Sequence, residues 1–389
     1  MEYDISFNKK QNDLSQNELD GLEFDKEEEE YPENSHPEIK EPYNPEMVDI
    51  VPASLTIRSL LDRIENKEID LNPDFQRKSG LWDDTKKSRL IESILIKVPL
   101  PVFYFDSRNE DKWTIVDGLQ RVSTLNEFII EKKLKLSNLE YLEEFNNCSY
   151  AELPRSMQRR IQECQLLTYC IRKGTPDDVT ISIFKRINTG GLVLSLAEIR
   201  NCVFHGIAAE LIKNMASLES FKKATRNKIS SDRMDDRDLA TRFTAFSILG
   251  YENYDGNMDL FLEKSLETIK KTYTQEQTDL LLQKFNKSML CCREVFGDYA
   301  FRKRIKDVNK YGPLNKSLFE CISCCVGLLS EEEQKLLVKN KEDFFKSYIN
   351  LFDQPFYYAI NSATGSVEHV FLRHKEFTNL LKNKLRGYK

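Results

Sequence analysis

The chain has 389 residues, 40% of them hydrophobic and 31% charged, with a formal net charge of −6. That length suggests two or three domains, and no apolar run approaches the roughly 20 residues a membrane helix needs, so a membrane protein is not expected. The opening MEYDISFNKK carries neither the basic nor the apolar region of a secretory signal, and nine cysteines without one point to reduced thiols in the cytoplasm.

Residues 1–50 hold 16 Asp/Glu and 4 Lys/Arg, a net of −12, which leaves 53 basic and 47 acidic side chains, net +6, in the rest. Residues 1–47, with an acidic run at 27–30 and Pro32, Pro37, Pro42 and Pro45, have too little apolar surface to offset ordering entropy. They read as an acidic disordered tail. The mildly basic body behind it permits nucleic-acid binding without demanding it.

Leu55, Ile57, Leu60, Leu61 and Ile64 recur at helical spacing, predicting an amphipathic helix over 54–66 with Ser54 as its cap. Pro73 keeps 70–78 irregular, and Asp83 or Asp84 caps a second helix to Lys97 with a buried stripe of Leu90, Ile91, Ile94 and Leu95. The run at 102–105 suits a strand covered on both faces. A second strand over 112–116 ends at Asp117-Gly118, and a third helix follows at once, with Leu119, Val122, Leu125, Phe128 and Ile129 on one side. Further on, 165–171 is a strand candidate, 179–186 is apolar-periodic, Asn188-Thr189-Gly190-Gly191 is a loop, and 195–203 is a helix. Helical spacing then dominates at 237–249, 257–271, 275–296, 316–329, 331–350 and 366–386. The expected architecture is α+β over 48–204, followed by an all-helical domain over 205–389.

Asp117-Gly118-Leu119-Gln120-Arg121 is the most informative stretch because it sits where a strand gives way to a helix. Such a junction aims the free N–H groups of a helix's first turn at one spot, where the dipole favours an anion. Gly118 permits the sharp turn and close approach of a phosphate. Arg121 offers a planar fork for two phosphate oxygens. Ser123 or Thr124 could donate a hydroxyl, and Asp117 could hold magnesium or position a water. The plainer reading is an Asp-Gly turn with an arginine in a solvated first turn. Two neighbouring stretches add to the first reading: Phe75-Gln76-Arg77 with Trp82 upstream, and Phe184-Lys185-Arg186-Ile187-Asn188 downstream.

FQR with a following Trp, RLIESILIKVPLPVFYF, VDGLQRVSTL and FKRINTGGLVLSLAEIRN occur in that order over about 52–204. Together they resemble the N-terminal domain family of GmrSD-type restriction endonucleases, which is similar to the ParB/sulfiredoxin fold. DRMDDRDLATRF at 232–243 and PLNKSLFE at 313–320 resemble the helical continuation of such proteins. The resemblance implies a DGxQR turn that binds a nucleoside triphosphate and supports its hydrolysis, with Mg2+, in bacterial defence against modified or foreign DNA. Carried over residue by residue, it reaches Gln76, Arg77, Asp117, Gly118, Gln120, Arg121, Thr124 and Asn188. In these roles Asp117, Gln120 and Arg121 are catalytic, and the others bind nucleotide together with Ser123. The family's commonest turn has glutamine where this chain has Leu119, which suits the buried stripe and removes one polar group.

Full-length relatives often end in a His-Asn-His nuclease. Val367-Glu368-His369 is similar to its opening, yet only 20 residues follow His369, too few for a ββα metal finger. The resemblance leaves nuclease chemistry within the N-terminal domain as a further expectation. Cys291-Cys292 and Cys321-x-x-Cys324-Cys325 lie in apolar helical segments and read as core rather than zinc ligands. Residues 155–237 hold 15 Lys/Arg against 9 Asp/Glu, with Arg155, Arg159 and Arg160 in one cluster and Lys222, Lys223, Arg226 and Lys228 in another, both able to meet DNA phosphates. Three readings stand open: an NTP-hydrolysing defence subunit, a nucleotide-gated module without turnover, and a helical scaffold that docks a separate nuclease.

Overall fold

The computed structural model describes residues 48–69, 82–187, 195–231, 233–304, 311–353 and 355–389, together with Phe24, Glu46 and Leu71. The expected acidic tail thus lies almost wholly outside the described residues. The chain divides into two compact units, with the sequence boundary between Val203 and Phe204.

The first unit opens with strand β1 (Ile50–Thr56). Pro52 and Ser54 are exposed while Val51 and Ala53 pack against the core, the two-residue alternation of a half-covered strand. The expected helix over 54–66 is therefore corrected. Thr56 is its cap, accepting from the Ser59 N–H at 3.1 Å, and helix α1 runs Ile57–Glu65. Leu55 and Ile57 suit either period, and what decides is the pairing of all of β1 with β4 (Gln165–Ile171).

Asp83 caps helix α2 (Asp84–Leu95) by accepting from the Lys86 N–H at 2.8 Å, and Leu90, Ile91, Ile94 and Leu95 are buried as the pattern requires. Strands β2 (Phe103–Asp106) and β3 (Thr114–Asp117) pair antiparallel, and β2 also pairs parallel with β4, giving the sheet order β1-β4-β2-β3. Helices α3 (Leu119–Ile129), α4 (Arg155–Glu163), α5 (Asp177–Ile187) and α6 (Leu196–Val203) complete the described part of this unit. One face of the sheet, with Phe103, Phe105, Ile115, Leu166 and Cys170, closes a core with Ile57, Leu60, Ile91, Ile94, Val122, Leu125 and Phe128. The other face carries exposed Pro52, Ser54 and Leu167. The fold class is α+β.

The second unit contains helices α7 (Ile207–Ser217), α8 (Glu219–Ala224), α9 (Asp235–Leu249), α10 (Met258–Thr272), α11 (Gln275–Phe296), α12 (Lys316–Gly327), α13 (Glu331–Lys339), α14 (Lys341–Ile349), α15 (Pro355–Ala359) and α16 (Val367–Tyr388). Two expectations change here. The span 331–350 breaks at Asn340 into α13 and α14. The unit is also not all-helical, because β5 (Arg302–Arg304) and β6 (Tyr311–Leu314) pair antiparallel. The basic residues of β5 hide the strand, while Gly312 and Pro313 in β6 forbid a helix.

The two helical motifs, DRMDDRDLATRF and PLNKSLFE, meet in this unit. Lys316 pairs with Asp235 at 3.1 Å and Asp238 at 3.6 Å, Arg242 pairs with Glu320 at 2.7 Å, and Arg373 pairs with Glu320 from the far side. Cys321, Cys324, Cys325 and Cys292 are buried and unbridged, so the cysteine-rich segments fill the core.

Candidate functional site

Strand β3 ends at Asp117, and Gly118 turns the chain with φ 105° before α3 starts at Leu119. A Cβ at position 118 would lie 2.6 Å from Phe103 Cδ1, so the turn needs glycine for both its dihedral and its space. Gly118 stands at the N-cap and supplies no side-chain cap. The first-turn N–H groups of α3 have no acceptor within the helix, and they carry the positive end of its dipole to the edge of the sheet.

Arg121 lies beneath this turn rather than in front of it. It is buried, with Nη1 donating to the Pro101 carbonyl, and Nη2 donating to the Val102 carbonyl at 3.1 Å and to Asp117 Oδ2 at 2.9 Å. Its Cζ sits 4.2 Å from the centroid of the Phe103 ring. The fork that the sequence suggested for phosphate is thus engaged with carbonyls at the entrance to β2. Burial lowers the guanidinium pKa, and the adjacent Asp117 carboxylate opposes that shift. Asp117 keeps 39% of its side chain exposed, and Arg121 holds one of its oxygens.

Gln120 is half-buried one residue before Arg121. Thr124 is buried and donates its hydroxyl to the Gln120 carbonyl at 2.7 Å, a bond internal to α3. Ser123 Oγ is buried with no hydrogen-bond partner among the described residues. Gln76, Arg77 and Asn188 lie outside the described residues. Trp82 is partly buried against the hydrophobic core. The structure therefore brings Asp117, Gly118 and Arg121 together at one turn, places Gln120 in the first turn of α3 and Ser123 further along it, and ties Thr124 into the helix. Phe103 and the carbonyls of Pro101 and Val102 were not singled out by the sequence, where 102–105 carried only a strand pattern.

Elsewhere the candidate groups do not converge. His369 Nδ1 lies 2.7 Å from the Ser362 carbonyl, whereas His374 is buried between Phe246 and Tyr251. Among the described residues no group of three or more His, Cys, Asp or Glu side chains could hold a metal ion. Arg155 and Arg159 are exposed, and Arg160 donates to the Leu95 carbonyl at 2.8 Å. In the second unit Lys223, Arg226, Asn227, Arg293 and Asp298 line a cavity of about 320 Å³, and Asp298 accepts from Arg293 at 2.5 Å. Among the described residues no helix is long and apolar enough to cross a membrane.

Residues 57–205 match a family model described as the GmrSD restriction endonuclease, N-terminal domain, a span that contains the β3–α3 turn and its surroundings. No curated protein matches the chain.

Proposed function

We propose, starting from a segment at 57–205 that belongs to the GmrSD restriction endonuclease N-terminal domain family, that this chain is a component of a restriction or anti-phage defence system. In this reading its first unit has a ParB/sulfiredoxin-like fold and holds a nucleoside triphosphate at the β3–α3 turn. The observation that carries the reading is the uncapped N-terminus of α3, set behind Gly118 and beside a half-exposed Asp117.

The first-turn N–H groups of α3 would receive a phosphate, and Ser123 would contribute its unpartnered hydroxyl. Arg121 supplies a fixed positive charge in the wall and holds Asp117 in one orientation. A carboxylate with one oxygen committed and one left over fits Mg2+, which typically takes one or two carboxylates alongside phosphate and water. Bound there, magnesium would neutralise charge on the phosphates. Gln120 would orient a water or the terminal phosphate, and Gln76, Arg77 and Asn188 would close the site from adjoining segments. DNA is a proposed partner, with the exposed Arg155 and Arg159 of α4 able to meet its phosphates. A separate nuclease subunit and a cytoplasmic setting belong to the same proposal.

A second reading has nucleotide bound without turnover, as a switch. It is favoured by Leu119, which packs partly into the core, and by the commitment of Arg121 and Thr124 to bonds within the protein. Nucleotide binding and phosphate release by the purified chain separate the two. Turnover lost in Asp117→Asn supports hydrolysis, and tight binding without phosphate release supports the switch. Absence of binding to any nucleoside triphosphate would remove both.

A further inference from the structure

The four-stranded sheet aligns one residue from each strand in a single row. Pro52 of β1 pairs with Tyr169 of β4, Tyr169 with Tyr104 of β2, and Tyr104 with Asp117 of β3. Residues directly opposite across a regular ladder share a face, so Pro52, Tyr169 and Tyr104 lie together on the face away from the hydrophobic core. Opposite β3 the register shifts between Tyr104 and Phe105, and the Asp117 side chain bonds to Arg121, which lies over Phe103 on the core side. Pro52 is exposed and both tyrosines are half-exposed, while their neighbours Phe103, Phe105 and Cys170 are buried on the other side. Leu167, two residues before Tyr169 on the same face, is 52% exposed.

The rings of Tyr104 and Tyr169 are stacked, with centroids 5.5 Å apart and planes inclined by 19°. That separation is close to the roughly 4.8 Å spacing of neighbouring strands, so the rings stand on the sheet like adjacent plates. The outer side of Tyr104 then borders the backbone of β3 at Asp117, one residue before Gly118 and the N-terminus of α3. A flat aromatic ligand on Tyr104 would extend the stack by one plate, and a polyanionic tail attached to it would reach the uncapped helix. The aromatic row and the anion-accepting turn thus adjoin along the backbone at the end of β3, an edge strand.

We propose that Tyr104, backed by Tyr169, is the nucleobase platform of the nucleotide site, an inference that rests on the phosphate reading of the turn. Every base has a π-face, so stacking alone binds purines and pyrimidines alike. This platform supplies affinity for the nucleoside part, and selection among bases falls to hydrogen bonds at the rim.

The test is calorimetric titration of the full chain, with magnesium, against nucleoside triphosphates, free nucleosides and inorganic tripolyphosphate. Wild type should bind nucleoside triphosphates more tightly than tripolyphosphate. Tyr104→Leu should weaken nucleoside triphosphates by about tenfold or more and leave tripolyphosphate unchanged, which also shows that the variant is folded. Tyr104→Phe should bind as wild type does. If Tyr104→Leu binds nucleoside triphosphates like wild type while tripolyphosphate binding is intact, the platform is wrong and the turn stands. Nucleoside binding that Tyr104→Leu abolishes, with no tripolyphosphate binding in any variant, keeps the platform and removes the turn. Wild type that binds none of the three removes both.

Discussion

The guanidinium of Arg121 lies face-on over the ring of Phe103, its Cζ 4.2 Å from the centroid, while the side-chain-free Gly118 leaves room for the same ring. A single aromatic residue at the start of β2 therefore fixes both the turn and the charge beneath it. The arginine's donors go to the carbonyls that lead into β2 and to Asp117. The motif is consequently a folding element as well as a candidate site, and stability and ligand binding can be tested separately.

Gly118→Ala should destabilise the first unit even with no nucleotide present. The added Cβ would meet Phe103 Cδ1 at 2.6 Å, on a residue whose φ of 105° already excludes most side chains. Strain of this kind costs on the order of 1–3 kcal/mol before any clash is counted. Urea denaturation followed by tryptophan fluorescence should show a lower midpoint with an unchanged slope. An unchanged midpoint would mean that the turn relaxes freely and that its glycine serves only a ligand.

Arg121→Lys should behave as a destabilised protein rather than a weaker ligand binder alone. An ammonium cannot span two carbonyls, a carboxylate and an aromatic face with a planar fork. Bonds from a charged group are worth roughly 1.5–3 kcal/mol, and the carbonyls of Pro101 and Val102 would lose their donors. The readout is the unfolding free energy without nucleotide. An arginine that served only phosphate would leave that value at wild type.

The α2 and β4 boundaries were legible because cap and stripe agree: Asp83 precedes a clean helical period, and the 165–171 run is bounded by a helix exit. The start of α1 was not, since a strand containing Pro52, Ala53 and Ser54 has weak intrinsic preference and gains its order from β4. The location of the turn could be read, because strand, Asp-Gly and helix are local signals. The engagement of Arg121 could not, because its partners Pro101 and Val102 are about twenty residues away and act through their backbone. The row from Pro52 to Asp117 was invisible for the same reason: register is a property of pairing, and no stretch of one strand encodes it.

In the second unit, Glu320→Gln should be among the most damaging single substitutions. Glu320 is fully buried between Arg373, itself fully buried, and Arg242. Removing the carboxylate leaves positive charge in the core with reduced compensation, and breaking a buried pair of this kind costs about 3–5 kcal/mol. The double replacement Glu320→Leu with Arg373→Met should be milder than Glu320→Gln, because it removes both charges together. Denaturation of the three proteins forms the comparison, and a double variant that is worse than the single would show that the pair is favourable in its own right.

His374 should make this unit acid-sensitive. Its ring is sandwiched by Tyr251 and Phe246, with centroids 5.0 Å and 4.8 Å away, and Nδ1 lies 2.9 Å from the Val370 carbonyl. A carbonyl only accepts, so Nδ1 carries the proton and donates, leaving Nε2 buried with no partner among the described residues. Burial, helped by the positive charge of Arg373, pushes the pKa down to about 3 from the ordinary imidazole value of 6.5. Between those values the unfolded chain takes up a proton that the folded one refuses, so stability rises with pH there. The contribution is whole above about pH 6.5 and is lost as pH falls toward 3, at up to about 1.4 kcal/mol per pH unit. Carboxylates titrate over part of the same range, so the informative quantity is the difference between wild type and His374→Phe. The variant should lose less stability between pH 6.5 and 4.5, whatever its absolute value. Parallel curves for the two proteins would show that the imidazole is protonated in the folded state and that Nε2 has found an acceptor.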